Sequence, residues 1–354
     1  MSEKIKTWQM ISPGKLQLKE IDMPEPQKGE VIVKIAGCGV CHTDIGYFYE
    51  GVPTVCKPPL TLGHEISGTV VAGEPDMVGK EVVVPAVMPC GQCEICRSGR
   101  ENRCLKQKMP GNSLGIYGGF SSHILVPSKD LCIIDDRAGI ELADMAVIAD
   151  AVTTPYQAAK RADLKQGDIV IITGAAGGVG SYMTQIAKAF GAKLVIGIEY
   201  GHDKAEKAKA LGADFVIDSS QNDVKAIKNA VKEQLRAIGA GNFGLKIFEI
   251  TGNANAQLIA LSLLSFVSKL IIVGYGMGKN SFMFSKLMAY DAEIIGTWGC
   301  KPSYYPDVLR LVTERKIMIE PYVEKRPMSQ IEKTFKEAKE GKLEKRVVLV
   351  PDFD

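Results

Sequence analysis

Cys90, Cys93, Cys96 and Cys104 form a C-x₂-C-x₂-C-x₇-C array, and four thiols so closely spaced can close a tetrahedral shell around Zn²⁺. Such a shell leaves no open position, which makes it a structural site. The spacing of the first three cysteines also suits an iron–sulfur cluster. The neighbouring Arg97, Arg100, Arg103, Lys106 and Lys108 would suit a zinc knuckle on phosphates. Against that, the stretch has no interleaved aromatics and the net charge of the whole chain is only +2. A second group is Gly37-Cys38-Gly39-Val40-Cys41-His42-Thr43-Asp44. Here Cys41 reads as a metal ligand, with Thr43 and Asp44 placed to orient it and to accept a proton. The C-x-x-C pair equally suits a redox dithiol or two buried core thiols. His64 and Glu65, between a glycine-containing turn and a strand, come about twenty residues after Cys41, within reach of a shared site. The chain has only four histidines.

A third group begins with the apolar run Ile169-Val170-Ile171-Ile172-Thr173, which passes directly into Gly174-Ala175-Ala176-Gly177-Gly178-Val179-Gly180 and then a helical segment. Strand, glycine turn and helix in that order bind dinucleotides. The glycines let the backbone approach a pyrophosphate, which sits on the free amides of the helix N-terminus. The next strand, Leu194-Val195-Ile196-Gly197-Ile198, ends at Glu199. A carboxylate there accepts hydrogen bonds from ribose hydroxyls and repels a 2′-phosphate, which favours NAD over NADP.

The elements that must hold these groups are of two kinds. Residues 15–36 alternate apolar and polar positions around Pro24-Glu25-Pro26-Gln27-Lys28-Gly29, the pattern of antiparallel strands. From about residue 150 strands and helices alternate, which predicts a doubly wound parallel sheet with helices on both faces. The last sixty or so residues mix short strands and helices and are expected to complete the first domain. A chain of 354 residues, 46% hydrophobic, can build two full cores. Its balanced charge implies no nucleic-acid or membrane partner, and no apolar run is long enough to span a bilayer. Nine mostly clustered cysteines fit reduced thiols in the cytoplasm.

Together these residues resemble the zinc-dependent medium-chain alcohol dehydrogenases over essentially the whole chain. The resemblance implies an α/β architecture: a GroES-like catalytic domain over 1–149 and 292–354 with a structural-zinc lobe at 88–108, and a Rossmann NAD-binding domain over 150–291. It implies an NAD-dependent oxidoreductase with two zinc ions per chain, one structural and one catalytic. The catalytic ion would be held by Cys41, His64 and Asp150, a position where the family usually has cysteine, with Glu65 beside it. A carboxylate is chemically competent there. The resemblance further implies that Thr43 takes the substrate hydroxyl proton and that Asp44 orients the ligands. His42 and Arg346 would face the cofactor pyrophosphate, Thr154 and Val179 the nicotinamide, and Lys204 the adenosine ribose. Tyr49 stands on the segment where many members carry a relay histidine, so the proton exit must differ.

Tyr47, Phe48, Tyr49, Tyr275 and Trp298 fall at family positions near the substrate channel and suggest a bulky or cyclic alcohol, while core packing is the reading for at least one of the three adjacent rings. Residues 51–55, 58–73 and 109–119 resemble the dehydrogenases of a cyclic hydroxyacyl-CoA thioester in anaerobic aromatic degradation. In that case Lys57, Lys301 and the basic residues of the zinc lobe are candidates for the CoA phosphates. A free aromatic or cyclic alcohol and a non-enzymatic zinc and nucleotide-binding module are the alternatives. The family also implies a homo-oligomer, dimer or tetramer, formed through the Rossmann sheet edge.

Overall fold

The computed structural model describes residues 4–353. The chain divides into two compact units: one runs to Thr153 and resumes at Gly299, and the other is Thr154–Trp298. Both boundaries lie beyond the expected 149/150 and 291/292. The strand Glu293–Gly296 pairs in parallel with Lys269–Ile272, so the second unit extends past residue 291. At the other end Asp150 stays with the first unit, where its side chain meets Cys41 and His64.

In the first unit the strand Glu30–Gly39 is the organiser. Its Val31, Ile32 and Val33 are buried, and it pairs antiparallel with Glu65–Gly73, His123–Pro127 and Arg346–Val350. The register sets Gly39 opposite Glu65 and Val348 opposite Gly39. When two antiparallel strands end level with each other, the residues just after one lie next to the residues just before its partner. Cys41, just past the first strand, therefore meets His64, just before the second, and Arg346 arrives at the same end. The hydrophobic cluster behind them runs from Met10 to Leu349, with Phe48, Phe120 and Phe335 stacked edge to face.

The second unit is a six-stranded parallel sheet in the order Phe215–Asp218, Leu194–Glu199, Ile169–Thr173, Lys246–Glu249, Lys269–Ile272, Glu293–Gly296. Val170, Ile171 and Ile172 are fully buried, as a central parallel strand covered on both faces requires. Strand order reverses between Ile169–Thr173 and Lys246–Glu249, and in open sheets the crevice for a ligand lies at that switch, beyond the carboxyl ends of the strands. Among the described residues no helix is long and apolar enough to cross a membrane.

Candidate active site

The helix His42–Tyr49 starts immediately after Cys41, with Asp44 in its first turn. An acid there suits the positive end of the helix, and Asp44 is wholly buried. Its Oδ2 accepts the Cys41 N–H at 3.0 Å, and its Oδ1 accepts the Gly63 N–H at 3.0 Å. The same Oδ1 lies 3.4 Å from His64 Nδ1. One carboxylate thus ties the Cys41 segment to the His64 segment and turns the far side of the imidazole toward Asp150.

That far side, His64 Nε2, is 3.6 Å from Asp150 Oδ2, which is in turn 3.6 Å from Cys41 Sγ. With Glu65 included, the four ligand atoms all lie within 4.8 Å of one another. Tetrahedral Zn²⁺ with bonds of about 2.0–2.3 Å sets its ligands about 3.3–3.8 Å apart, so Cys41, His64 and Asp150 fit the ion. The electrostatics agree. Burial alone would lower the His64 pKa, yet Asp44, Asp150 and Cys41 raise it well above its usual value. The same negative groups that hold a proton on His64 would hold a divalent cation, which must displace that proton because a ligating imidazole is neutral. Thr43 Oγ1 is 3.7 Å from Cys41 Sγ and partly exposed.

Glu65 is fully buried, and burial pushes its carboxyl above the usual range while Arg346 pulls it down. Arg346 Nε donates to Glu65 Oε2 at 3.0 Å and Nη2 donates to Oε1, a two-armed pair 281 residues apart. Gly39 is required beneath it, because a Cβ there would run into the Glu65 carboxylate. Arg346→Met leaves Glu65 buried and unpaired. It is expected to lower stability in urea unfolding by about 3–5 kcal/mol, with Glu65→Gln in the same chain recovering most of it. A single variant within about 1 kcal/mol of wild type would remove the pair from the stability of the site.

The second cluster is closed. Sγ separations are 3.4 Å for Cys93–Cys96 and Cys90–Cys104, 3.8 Å for Cys93–Cys104 and 4.0 Å for Cys90–Cys96. The edge of a ZnS₄ tetrahedron is about 3.8 Å. Backbone N–H groups of Cys90 and Lys106 point at Cys104 Sγ, each at 3.3 Å. Backbone hydrogen bonds from Cys96 and Leu105 bring Cys93 down to about 6, within thiolate range.

In the second unit Gly174 has φ +81°, and a Cβ on Gly180 would strike the Gly174 carbonyl, so the turn closes only as glycine. Gly177 and Gly178 are exposed, and Val179 is half-buried ahead of the helix Gly180–Ala189. Glu199 is buried at its strand end and accepts the Ala176 N–H of the turn at 2.5 Å. Burial raises its pKa, with Ala176 and the exposed Lys204 opposing. Thr154 begins this unit, on the helix Thr153–Ala162.

Three of the expected substrate-facing rings belong to packing instead. Phe48 is 3% exposed and stacks on Phe335 at 5.3 Å, which corrects its assignment to the channel. Tyr47 is buried with its hydroxyl accepting from Asn112 Nδ2 at 2.7 Å. Tyr49 lies with Lys339 4.4 Å from its ring centre, and Glu332 and Glu340 are the charges acting on its hydroxyl. These contacts engage Tyr49 in packing rather than in a proton relay. Cys38 is a fully buried core thiol, which settles the C-x-x-C alternatives for that residue. Tyr275 and Trp298 are exposed on the second unit. His42 is exposed at the helix start. Sequence reasoning passed over Asn112, which signals nothing by type, and Glu249, whose signal was a second strand ending in a carboxylate.

Residues 27–136 match the alcohol dehydrogenase GroES-like domain family and residues 178–314 the zinc-binding dehydrogenase family. The chain is 31% identical over 346 residues to a D-arabinose 1-dehydrogenase (NADP(+)) of Saccharolobus solfataricus, covering 95% of this chain and 94% of that one. It is 30% identical over 340 residues to an alcohol dehydrogenase of Geobacillus stearothermophilus, covering 94% and 95%. The structure of acetophenone reductase from Geotrichum candidum in complex with NAD superposes with a TM-score of 0.83 at 28% identity, over 99% of this chain and 98% of that one.

Proposed function

This chain belongs to the zinc-dependent medium-chain alcohol dehydrogenase family, and from that premise we propose that it oxidises a secondary alcohol with NAD, the alcohol being 6-hydroxycyclohex-1-ene-1-carbonyl-CoA and the product its 6-oxo thioester. The observation that carries the dehydrogenase reading is the convergence of Cys41, His64, Asp150 and Glu65, with Asp44 clamping the two segments. Zinc held there supplies Lewis acidity toward an alcohol or carbonyl oxygen. Thr43 Oγ1 accepts the hydroxyl proton as it gives its own up toward water, and Asp44 keeps Cys41 and His64 in place. The glycine turn and Glu199 of the second unit hold NAD, the carboxylate disfavouring a 2′-phosphate.

The thioester reading rests on the resemblance of the three segments 51–55, 58–73 and 109–119, which lie against one another in the fold. Val55 N donates to Asn112 Oδ1 at 2.9 Å, Cys56 N to Asn112 O at 3.1 Å and Thr61 N to Gly115 O at 3.0 Å. Phe120 N donates to Leu62 O and Gly119 N to Gly63 O, next to His64. A free aromatic or cyclic alcohol is the second reading, favoured by the likeness to acetophenone reductase. Among the described residues Glu293–Gly296 is an edge strand of its sheet, and Ile294 in it and Phe284 and Met288 shortly before it are exposed, which supports a homo-oligomer. All nine cysteines are free, which supports a reducing compartment such as the cytoplasm.

The test is reduced-nicotinamide formation by zinc-replete protein of known mass in light scattering. The thioester, benzyl alcohol, cyclohexanol, sorbitol and D-arabinose are compared, each with NAD and NADP. We expect kcat/KM for the thioester with NAD to exceed the free alcohols by about 10²-fold or more, because binding of the remote CoA portion assists turnover. Equal or better turnover of a free alcohol or sugar would discard the thioester. A species of 38.3 kDa would discard the oligomer.

A further inference from the structure

Glu249 ends the strand that flanks the switch point, and it is wholly buried. Its Oε1 accepts from Thr251 N at 2.8 Å, Thr251 Oγ1 at 2.5 Å and Gly252 N at 3.1 Å, while Oε2 lies 3.2 Å from Gly252 N. Its backbone carbonyl accepts from Val273 N at 2.9 Å and Gly274 N at 3.1 Å. One residue therefore binds the loop after its own strand with its side chain and the loop after the next strand with its carbonyl.

These loops leave no slack. A Cβ on Gly252 would strike the Tyr275 carbonyl, and one on Gly274 or Gly276 would strike Gly252. On the other side the Thr251 methyl sits against Gly174, the first glycine of the dinucleotide turn, so that a Cβ at 174 would meet it. Ile250 N also donates to Thr173 O at 3.3 Å. Glu249 thus stands behind the wall that faces the glycine turn at the reversal of strand order. Burial raises the Glu249 pKa and the Thr251 and Gly252 donors oppose it; a carboxylate can accept from several N–H and O–H donors at once and donates to none.

We propose that Glu249 is a positioning residue for the dinucleotide: its carboxylate holds the Thr251–Gly252 turn against Gly174 and so sets the wall of the cofactor crevice. The inference rests on the reading of that crevice as the NAD site. Glu249→Gln keeps the size of the side chain, and with its carbonyl oxygen in the Oε1 place its N–H₂ faces the Gly252 N–H in the Oε2 place, so the second acceptor is lost. In the zinc-loaded full-length enzyme it is expected to raise the NADH Kd, read by nucleotide fluorescence, and the KM for NAD by about tenfold, with kcat within about twofold. Thr251→Val, which at constant shape removes the donor to Glu249 and the acceptor of the Asn253 N–H, is expected to move Kd the same way, and Thr251→Ser, which keeps the hydroxyl, to leave it near wild type. If Glu249→Gln does not fold, the two Thr251 variants carry the test. A Glu249→Gln protein that melts lower yet binds NADH as wild type does overturns the proposal, as does a Thr251→Val protein with unchanged Kd. Wild-type protein that binds no NADH overturns the cofactor reading itself, and the proposal with it.

Discussion

Asp150→Ala is expected to reduce bound zinc from two ions per chain to one and to lower kcat/KM by at least about 10³-fold, given that groups merely orienting a zinc ligand are worth roughly 10- to 100-fold. The expectation rests on position. Asp150 Oδ2 is 3.6 Å from both Cys41 Sγ and His64 Nε2, while Glu65 is held by both arms of Arg346. Removing Asp150 leaves a thiolate and an imidazole, too few ligands to retain the ion against buffer. Asp150→Cys substitutes a thiolate for the carboxylate and is expected to keep both ions. Glu65→Gln is likewise expected to keep both. Metal analysis of the three purified variants, alongside their kinetics, decides the matter. If Asp150→Ala kept two ions and Glu65→Gln lost one, Glu65 would be the third ligand and Asp150 a cap on the next turn.

Cys104→Ser is expected to unfold the lobe around the four-cysteine cluster. Between Gly91 and Cys104 only Asn102 and Cys104 itself are buried, and the single helical turn Glu94–Arg97 buries nothing. A segment without an apolar core has no other source of folding free energy than its ion, and structural zinc contributes apparent binding of roughly 10–16 kcal/mol in small domains. The loss should appear as a fall in Tm of about 10 °C or more, at roughly 2–4 °C per kcal/mol for a domain of this size. New tryptic cleavage is expected at Arg97, Arg100 and Arg103, which now lie on ordered backbone. An unchanged Tm together with an unchanged digest would mean that packing, not metal, holds the lobe. Chelation of the wild-type protein at moderate temperature should reproduce the same digest.

What could be read from the sequence was local. The four-cysteine array spans fifteen positions, and its spacing already determines that the thiols can converge, because the reach of so short a loop permits little else. The glycine turn was legible for the same reason: Gly174 and Gly180 are needed by the geometry of one turn between one strand and one helix. The apolar run Ile169–Thr173 and the alternation of strands with helices after it declared a parallel sheet.

What the tertiary structure decided was every relation that depends on strand register or side-chain direction. Aromatic type alone does not distinguish Phe48 in the core from a ring in a channel; its stacking on Phe335, 287 positions along the chain by residue number, does. The same holds for Tyr49 under Lys339. Glu65 and Arg346 meet because Gly39 pairs with Glu65 and Val348 with Gly39, and a one-residue slip would turn those side chains to opposite faces. Asp44 clamps both ligand segments only because the helix after Cys41 points its first turn at Gly63. The sequence by itself determined which residues are able to bind metal and dinucleotide; register and packing, which sum many distant contacts, decided which of them meet.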